Sequence, residues 1–361
     1  MKNNNKIAIV SASLGVGGAE RFAGLLSFML HDLGYEVHHL IILDHVDYDF
    51  KGELVNLGKK FPNEAGVFRA IKKGKYIAKY LFENKIEIVI DNRSRPTFIR
   101  EVFTKWIYGN RKTYFMVHSS NVEMYFPKSS FAANYLYKNA TRLVCVSRDI
   151  EKKIQKKWNF KNTITIYNPV ACPEVIAKKP VDAPQNYILF FGRLEEEIKN
   201  FSLLLNAFQQ SKVYETGTKL LLVGNGSSRE FIEAKIKELH LADFVQLLSF
   251  QKNVVPYIQH AKCTILTSRF EGFPMSIVES LAAGTPVISV DCETGPKEII
   301  QNRQNGLLVP NYDVKALSHA IIDMISDENL YQTCKKNAQK SVEHLSLTTI
   351  ANHWNHLLSQ K

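Results

Sequence analysis

EGFPMSIVESLAAGTP, residues 271–286, joins a helix to two carboxylates eight positions apart, Glu271 and Glu279. Pro274 stands where the helix is expected to begin, since the N–H that proline lacks would be unpaired there anyway. Met275 to Ala283 read as the helix, Gly284 ends it, and Pro286 lies just beyond. Glu271 is therefore expected in the loop before the helix and Glu279 on its second turn. The free N–H groups of the first turn, with the helix dipole, favour an anion. Two carboxylates flanking an anion site suit hydroxyl groups on either side of it. A nucleotide diphosphate sugar has that layout: sugar hydroxyls, diphosphate, ribose hydroxyls. The plainer alternative is an ordinary loop and helix with two solvated glutamates.

Strands are expected on both sides of this segment, KCTILTS at 262–268 and PVISVD at 286–291. Before them come YILFFG (187–192), KLLLVG (219–224) and FVQLLSF (244–250), with helices between; from Asp313 onward the chain reads as mostly helical. The first half has the same rhythm. KIAIVSAS (6–13), VHHLIILD (37–44), IEIVID (86–91), TYFMVHS (113–119) and RLVCVS (142–147) read as strands, with a helix from near Ala19. Residues 66–83 read as a helix with Val67, Ile71, Ala78 and Leu81 near one face and Arg69, Lys72, Lys73, Lys75 and Lys79 elsewhere. Such alternation implies parallel sheets with helices on both faces. Pro169, Pro173, Pro180 and Pro184 mark a linker. The expected division is a first domain over 1–170, a linker over 171–185, a second domain over 186–345 and a final helix over 346–361.

The chain has 361 residues, too many for one ordinary core and suited to two domains. It is 45% hydrophobic and 22% charged, as soluble globular proteins are. No run approaches the ~18–20 apolar residues of a membrane span. The start, MKNNNKIAIVSASLGVGG, is better explained as a first strand than as a signal peptide. Cys145, Cys172, Cys263, Cys292 and Cys334 are scattered, without a C-x-x-C pair, which argues against structural zinc or a disulfide frame and fits a cytoplasmic location. Charge is uneven: residues 1–180 hold 29 Lys+Arg and 16 Asp+Glu, the remainder 17 and 19. That is +13 against −2. A basic first half favours an anionic partner, and with no nucleic-acid motif beside it the inner membrane surface ranks first, as peripheral binding.

The 271–286 string, set between its two strands, resembles the E-x7-E signature of the retaining glycosyltransferases of family 4. The resemblance runs over nearly the whole chain and most securely over 185–310. It implies an α/β fold of the GT-B type: two doubly wound Rossmann-like domains facing a central cleft, the donor mainly on the second and the last helix crossing back to the first. It implies the donor-binding set as well. Arg193 and Lys199, in FGRLEEEIKN, match an Arg and a Lys that reach the donor diphosphate, with one residue more between them than is usual. Glu271, with the backbone of Gly272, Phe273, Pro274 and Met275, would hold and orient the sugar, and Glu279 the ribose. Gly224 and Asn225 match a turn near the nucleotide, and Ser249 and Phe250 a segment that meets the base.

GGAER after the first strand resembles the family's first loop, so Gly17 and Gly18 would face the diphosphate and acceptor. Read by itself, Gly15-Val16-Gly17-Gly18 is also compatible with a tight turn and no ligand. It fails G-x-G-x-x-G, because Glu20 holds the last position, although Asp44 could imitate a ribose-binding acid. His118 ends a strand, at the edge where open α/β sheets bind ligands, and matches a family histidine near the transferred sugar. A structural histidine is the alternative there, and ordinary packing is the expectation for His38 and His39. Asp91 to Arg95, at another strand end, could face the acceptor or be a solvated loop. Arg193, Lys199 and the helix start would stabilise a leaving diphosphate electrostatically, and without a D-x-D pair no metal and no cofactor are implied. The activity implied is retaining transfer of a hexose or N-acetylhexosamine, with a UDP-sugar favoured, to a glycan or lipid-linked acceptor in polysaccharide or lipopolysaccharide synthesis. An epimerase of the same fold and a non-catalytic nucleotide-sugar sensor are the alternatives.

Overall fold

The structure is a computed structural model that describes residues 5–15, 17–62 and 66–360; Val16 of the first loop and the side chain of Val67 fall outside the description. The chain forms two compact units, Met1–Pro169 with Leu347–Lys361, and Val170–Ser346.

The first unit holds β1 (Lys6–Ser11), β2 (Glu36–Ile41), β3 (Glu53–Asn56), β4 (Ile88–Asp91), β5 (Lys112–Val117), β6 (Arg142–Cys145) and β7 (Thr163–Thr165). They form one sheet in the order β3-β2-β1-β4-β5-β6-β7, and its paired strands are parallel. The second unit holds β8 (Tyr187–Phe191), β9 (Lys219–Val223), β10 (Val245–Leu248), β11 (Cys263–Leu266), β12 (Val287–Asp291) and β13 (Gly306–Pro310), in the order β10-β9-β8-β11-β12-β13, again parallel. The middle strands are covered on both faces, which is why they read as continuous apolar runs. Ile7 to Val10, Ile188 to Phe190 and Leu220 to Leu222 are all buried. β3, β7 and β13 were not expected. Two are short edge strands, ELVN and TIT, too brief to carry a pattern.

In each sheet the strand order reverses once, between β1 and β4 and between β8 and β11. At such a point neighbouring loops leave the carboxyl edge in opposite directions and open a crevice for ligands. The helix Leu347–Ser359 packs on the helix Gly18–Asp32 of the first unit: Trp354 is fully buried, its ring 6.4 Å from Phe22, and the Tyr35 hydroxyl donates to Asn355 Oδ1 at 3.1 Å.

Two helices of the first unit correct or extend the sequence reading. The helix Gly66–Glu83 forms over the expected residues, but its inward face is Lys73, Ile77, Tyr80 and Leu81, and Ile71 points outward. Lys73 lies inward because its stem packs there while Nζ reaches the Ile42 carbonyl at 2.5 Å. Burial and the neighbouring Arg69 charge lower its pKa. The helix Phe98–Tyr108 buries Glu101, Thr104 and Tyr108 and leaves Ile99, Phe103 and Trp106 exposed.

Candidate functional site

At the switch point of the second sheet, Gly192 to Asn200 follows β8 and Thr267 to Pro274 follows β11. A single turn of helix, Glu196–Lys199, closes with Lys199 N–H donating to the Glu195 carbonyl at 2.8 Å. This turn accommodates the longer Arg193–Lys199 spacing. Asn200 then adopts a left-handed conformation, φ 53°, and its side chain caps the helix Phe201–Ser211. Thr267 Oγ1 donates to the Lys199 carbonyl at 2.7 Å, and Arg269 N–H to that of Ile198 at 2.8 Å, so the second loop is joined to the backbone of the first. Their side chains meet as well: Lys199 Nζ lies 2.6 Å from Glu271 Oε1, an oxygen that also accepts from Ser268 Oγ at 2.6 Å. Both partners of this pair are about 15% exposed, covered enough to be held but still within reach of a ligand. Arg193 is more open, paired with Glu195 at 3.2 Å.

Pro274 caps the helix Met275–Ala282 rather than opening it, one position earlier than expected. Its carbonyl accepts from Ile277 N–H at 3.0 Å, and its ring cannot offer a capping oxygen. The first N–H groups of the helix are thereby left for a ligand. Glu279 is half-buried on the second turn. Gly284 has φ 79°, the left-handed conformation that ends helices cheaply.

Gly224, Asn225 and Phe250, expected near the nucleotide, are tied to one another and to the loop after β8. Leu194 N–H donates to the Asn225 carbonyl at 2.9 Å, and Phe250 N–H to Asn225 Oδ1 at 3.1 Å. A Cβ on Gly224 would stand 1.9 Å from the Gly192 carbonyl oxygen, so only glycine lets these loops approach. Phe250 leaves its ring exposed, as a platform for a planar ligand requires.

Two residues of the loop after β12 were missed by sequence reasoning. Thr294 Oγ1 donates to the Glu271 carbonyl. Gly295, φ 97°, lies so close to Pro274 that a Cβ would be 2.4 Å from its ring. They fix the Glu271–Pro274 segment from behind. Cys292, in the same loop, has its thiol pushed up to about 12 by burial and then by the Glu271 charge. Among the described residues, no three His, Cys, Asp or Glu side chains gather as a metal would need.

The switch point of the first sheet is built differently. Gly17 precedes and Gly18 opens the helix Gly18–Asp32, which has no side-chain cap. Asn92, just past β4, donates to the Ala19 carbonyl at 2.8 Å and accepts through Oδ1 from His118 Nε2 at 2.6 Å. That places the His118 proton on Nε2 and leaves Nδ1, buried and unpartnered, as an acceptor. Burial, with the Arg95 charge, drives the imidazole down to about 3, so it is neutral at pH 7.

The solvated or acceptor-facing reading of the neighbouring loop fails for three of its residues. Asp91, Arg93 and Arg95 turn inward. Arg93 Nη2 lies 2.6 Å and Tyr108 OH 2.9 Å from Asp91 Oδ2, Arg95 donates to the Met116 carbonyl at 2.9 Å, and its guanidinium stands 5.0 Å from the Phe115 ring centre. His38 and His39 are core residues, the former bonded to Tyr80 at 2.8 Å.

Comparison with known proteins follows this division. The family model for group 1 glycosyl transferases matches residues 173–341, and that for glycosyltransferase family 4 matches residues 16–172. A Campylobacter jejuni N-acetylgalactosamine-N,N'-diacetylbacillosaminyl-diphospho-undecaprenol 4-alpha-N-acetylgalactosaminyltransferase is 28% identical, over 96% of this chain and 97% of its own. An Erwinia amylovora amylovoran biosynthesis glycosyltransferase is 31% identical, over 62% of this chain and 64% of its own. Among solved structures, Anabaena HepE in complex with UDP superposes with a TM-score of 0.78 at 19% identity, over 98% of this chain and 99% of that one, which shows a common fold, the GT-B type. With one model on each half and the two together running from residue 16 to 341, the chain belongs to the family 4, group 1 glycosyltransferases.

Proposed function

We propose that this glycosyltransferase moves a hexose or N-acetylhexosamine, with retention of configuration, from a UDP-sugar to a lipid-linked or polysaccharide acceptor. The observation that carries the reading is the Lys199–Glu271 pair, 2.6 Å apart at the β8/β11 switch point, with Glu271 three residues before Pro274 at a helix start that has no side-chain cap. Departure of a nucleoside diphosphate leaves negative charge on phosphate and positive charge on the sugar. Lys199, Arg193 and the first N–H groups of the helix are preorganised donors for the phosphate charge. Glu271 accepts from sugar hydroxyls, and its bond to Lys199 keeps it oriented. Glu279 accepts from the ribose. Asn92 and neutral His118 offer hydrogen bonds, without charge, to the acceptor or the transferred sugar. The acceptor proposal draws on the Campylobacter relative, named for a diphospho-undecaprenol acceptor, and on the Erwinia relative, named for amylovoran synthesis. UDP, the nucleotide in the Anabaena structure, is the first probe to use.

A panel of UDP-, GDP- and ADP-sugars, scored for nucleoside diphosphate release with and without acceptor extracts, tests the reading. UDP release stimulated by one extract is expected, and EDTA should leave it intact because the protein's own cations carry the phosphate charge. Release with inversion, or release that requires added Mg²⁺ or Mn²⁺, would overturn the retaining or the metal-independent part respectively. No observation favours the epimerase or sensor readings.

A further inference from the structure

The helix Phe98–Tyr108 is inside out. Its buried face is polar: Glu101 lies 2.9 Å from Arg100 and 3.6 Å from Arg93, and Tyr108 is bonded to Asp91. Its outward face carries Ile99, Phe103 and Trp106, which are 68%, 59% and 75% exposed. The spacing 99, 103, 106 puts all three on one stripe. The neighbouring helix Ser130–Tyr137 extends it with Phe131, 83% exposed, and Tyr135. Lys105 joins the two helices, donating to the Tyr135 carbonyl at 2.5 Å with Nζ 4.3 Å from the ring centre. A monomer in water gains nothing by showing five large apolar side chains together, so such a patch marks an interaction surface.

Charge decides what covers it. The helix Gly66–Glu83, which packs against Phe98–Tyr108, carries Arg69, Lys72, Lys75 and Lys79 besides the inward-turned Lys73, against one acid, Glu83. A protein partner could meet the aromatic stripe, but an aromatic stripe bordered by a basic helix matches the two parts of an anionic bilayer surface. Acyl chains take Phe103, Phe131 and Ile99, the headgroup layer takes the Trp106 indole, and the phosphates take the lysines.

We propose that Ile99, Phe103, Trp106 and Phe131 form a shallow membrane-insertion face, held at an anionic bilayer by the basic Gly66–Glu83 helix. The helix lies in the plane of the interface; among the described residues no helix is long and apolar enough to cross a membrane. The face rests on exposure and charge alone and does not depend on which sugar is transferred.

The chain supplies its own reporter. It has three tryptophans, and two, Trp158 and Trp354, are buried, so changes in emission on adding vesicles report Trp106. Phosphatidylcholine vesicles with phosphatidylglycerol should shift the emission to the blue, and brominated lipid should quench it; pure phosphatidylcholine should do so far less. Phe103→Ser with Phe131→Ser leaves the reporter in place and should weaken partitioning by at least about tenfold, since each aromatic buries an area worth a factor of ten or so. Lys75→Glu with Lys79→Glu should weaken it about as much, and raised salt should mimic that change. Both pairs are exposed, and unchanged melting together with unchanged donor hydrolysis will show that fold and site are intact. Vesicle binding with Trp106 emission unmoved would overturn the proposal. So would no binding at all, or a dimer in solution that the Phe103/Phe131 pair dissolves, which would assign the face to a second copy.

Discussion

The carboxyl edges of the two sheets share a topology but put their charges to opposite uses. At the β8/β11 point a lysine and a glutamate are drawn together from two loops and left about 15% exposed. At the β1/β4 point the charged residues of the loop, Asp91, Arg93 and Arg95, are folded into the interior, and neutral Asn92 and His118 are the pair at the strand ends. An ion pair that water still reaches can exchange its partner for a charged ligand at modest cost. A buried one cannot, because each ion left alone would be stranded without water. The difference teaches that one edge keeps a reachable ion pair and the other keeps only uncharged polar groups at its strand ends, although strand order alone would not distinguish them.

The sharpest way to break this contrast is Asp91→Asn. Asp91 accepts from the Arg93 backbone at 3.0 Å, from its guanidinium and from Tyr108, and the arginines keep its carboxyl below the ordinary range despite burial. Losing the charge strands Arg93, with Glu101 3.6 Å away as the remaining acid. A loss of roughly 3–5 kcal/mol is expected, the scale for removing one partner of a buried pair. Urea unfolding should show it in a transition of the first unit, with nucleotide affinity of the folded protein preserved. A loss under about 1 kcal/mol would mean that the buried network is not held by this pair.

Lys199→Ala comes next and tests the opposite edge. The lysine is expected to cost little stability, since water can reach Glu271. Turnover should fall on the order of 10²–10³-fold, as when one preorganised donor to a developing charge is removed. Steady-state UDP release, with melting as the control, measures both. If melting falls sharply while the rate holds, the pair is structural and the two edges are alike after all.

How much of this contrast could be read in advance depends on sequence distance. Glu271, Pro274, Glu279 and Gly284 lie within one short segment, and local rules place them on the loop, at the helix start (one position out for Pro274), on the second turn and at the helix end. Continuous apolar runs identify the central strands, while ELVN and TIT are too short to carry a pattern. Lys199 meeting Glu271 crosses 72 residues, and only the family resemblance joined them. Thr294 and Gly295 come from a third loop, and nothing in ETGP at 293–296 shows what stands behind it. The Phe98–Tyr108 helix was not expected, and its inward face is the polar one because it meets Asp91 and Arg93, themselves buried charges.

Glu279→Ala should have a smaller effect. If the half-buried carboxylate grips the ribose, nucleotide affinity falls by roughly 1–3 kcal/mol, the scale of a hydrogen bond to a charged group. Calorimetric titration of UDP reads this directly. Unchanged affinity in a folded variant would confine the donor site to the Lys199–Glu271 side of the helix.

The smallest expected effect is the most discriminating one, the absence of a pH response from His118. Its pKa lies near 3, far below the ordinary 6.5, because burial disfavours the charged ring and Arg95 repels it. The imidazole is then neutral throughout the working range, so kcat/KM should show no ionisation of this residue between about pH 5 and 8. His118→Gln should change the level of the profile and not its shape. Stability provides the complement. The depressed folded value means that the unfolded chain binds the proton first. The stability contributed by neutral His118 is complete above about 6.5, and is lost progressively as pH falls from there towards 3. His39, held down to about 4 by burial, adds to the same decline. Urea midpoints across that window should therefore fall less steeply in His118→Gln than in the parent. A kcat/KM profile with an inflection near pH 6 that vanishes in His118→Gln would show that the ring charges in the working enzyme. The first edge would then carry a charge of its own, and the contrast between the two edges would fail.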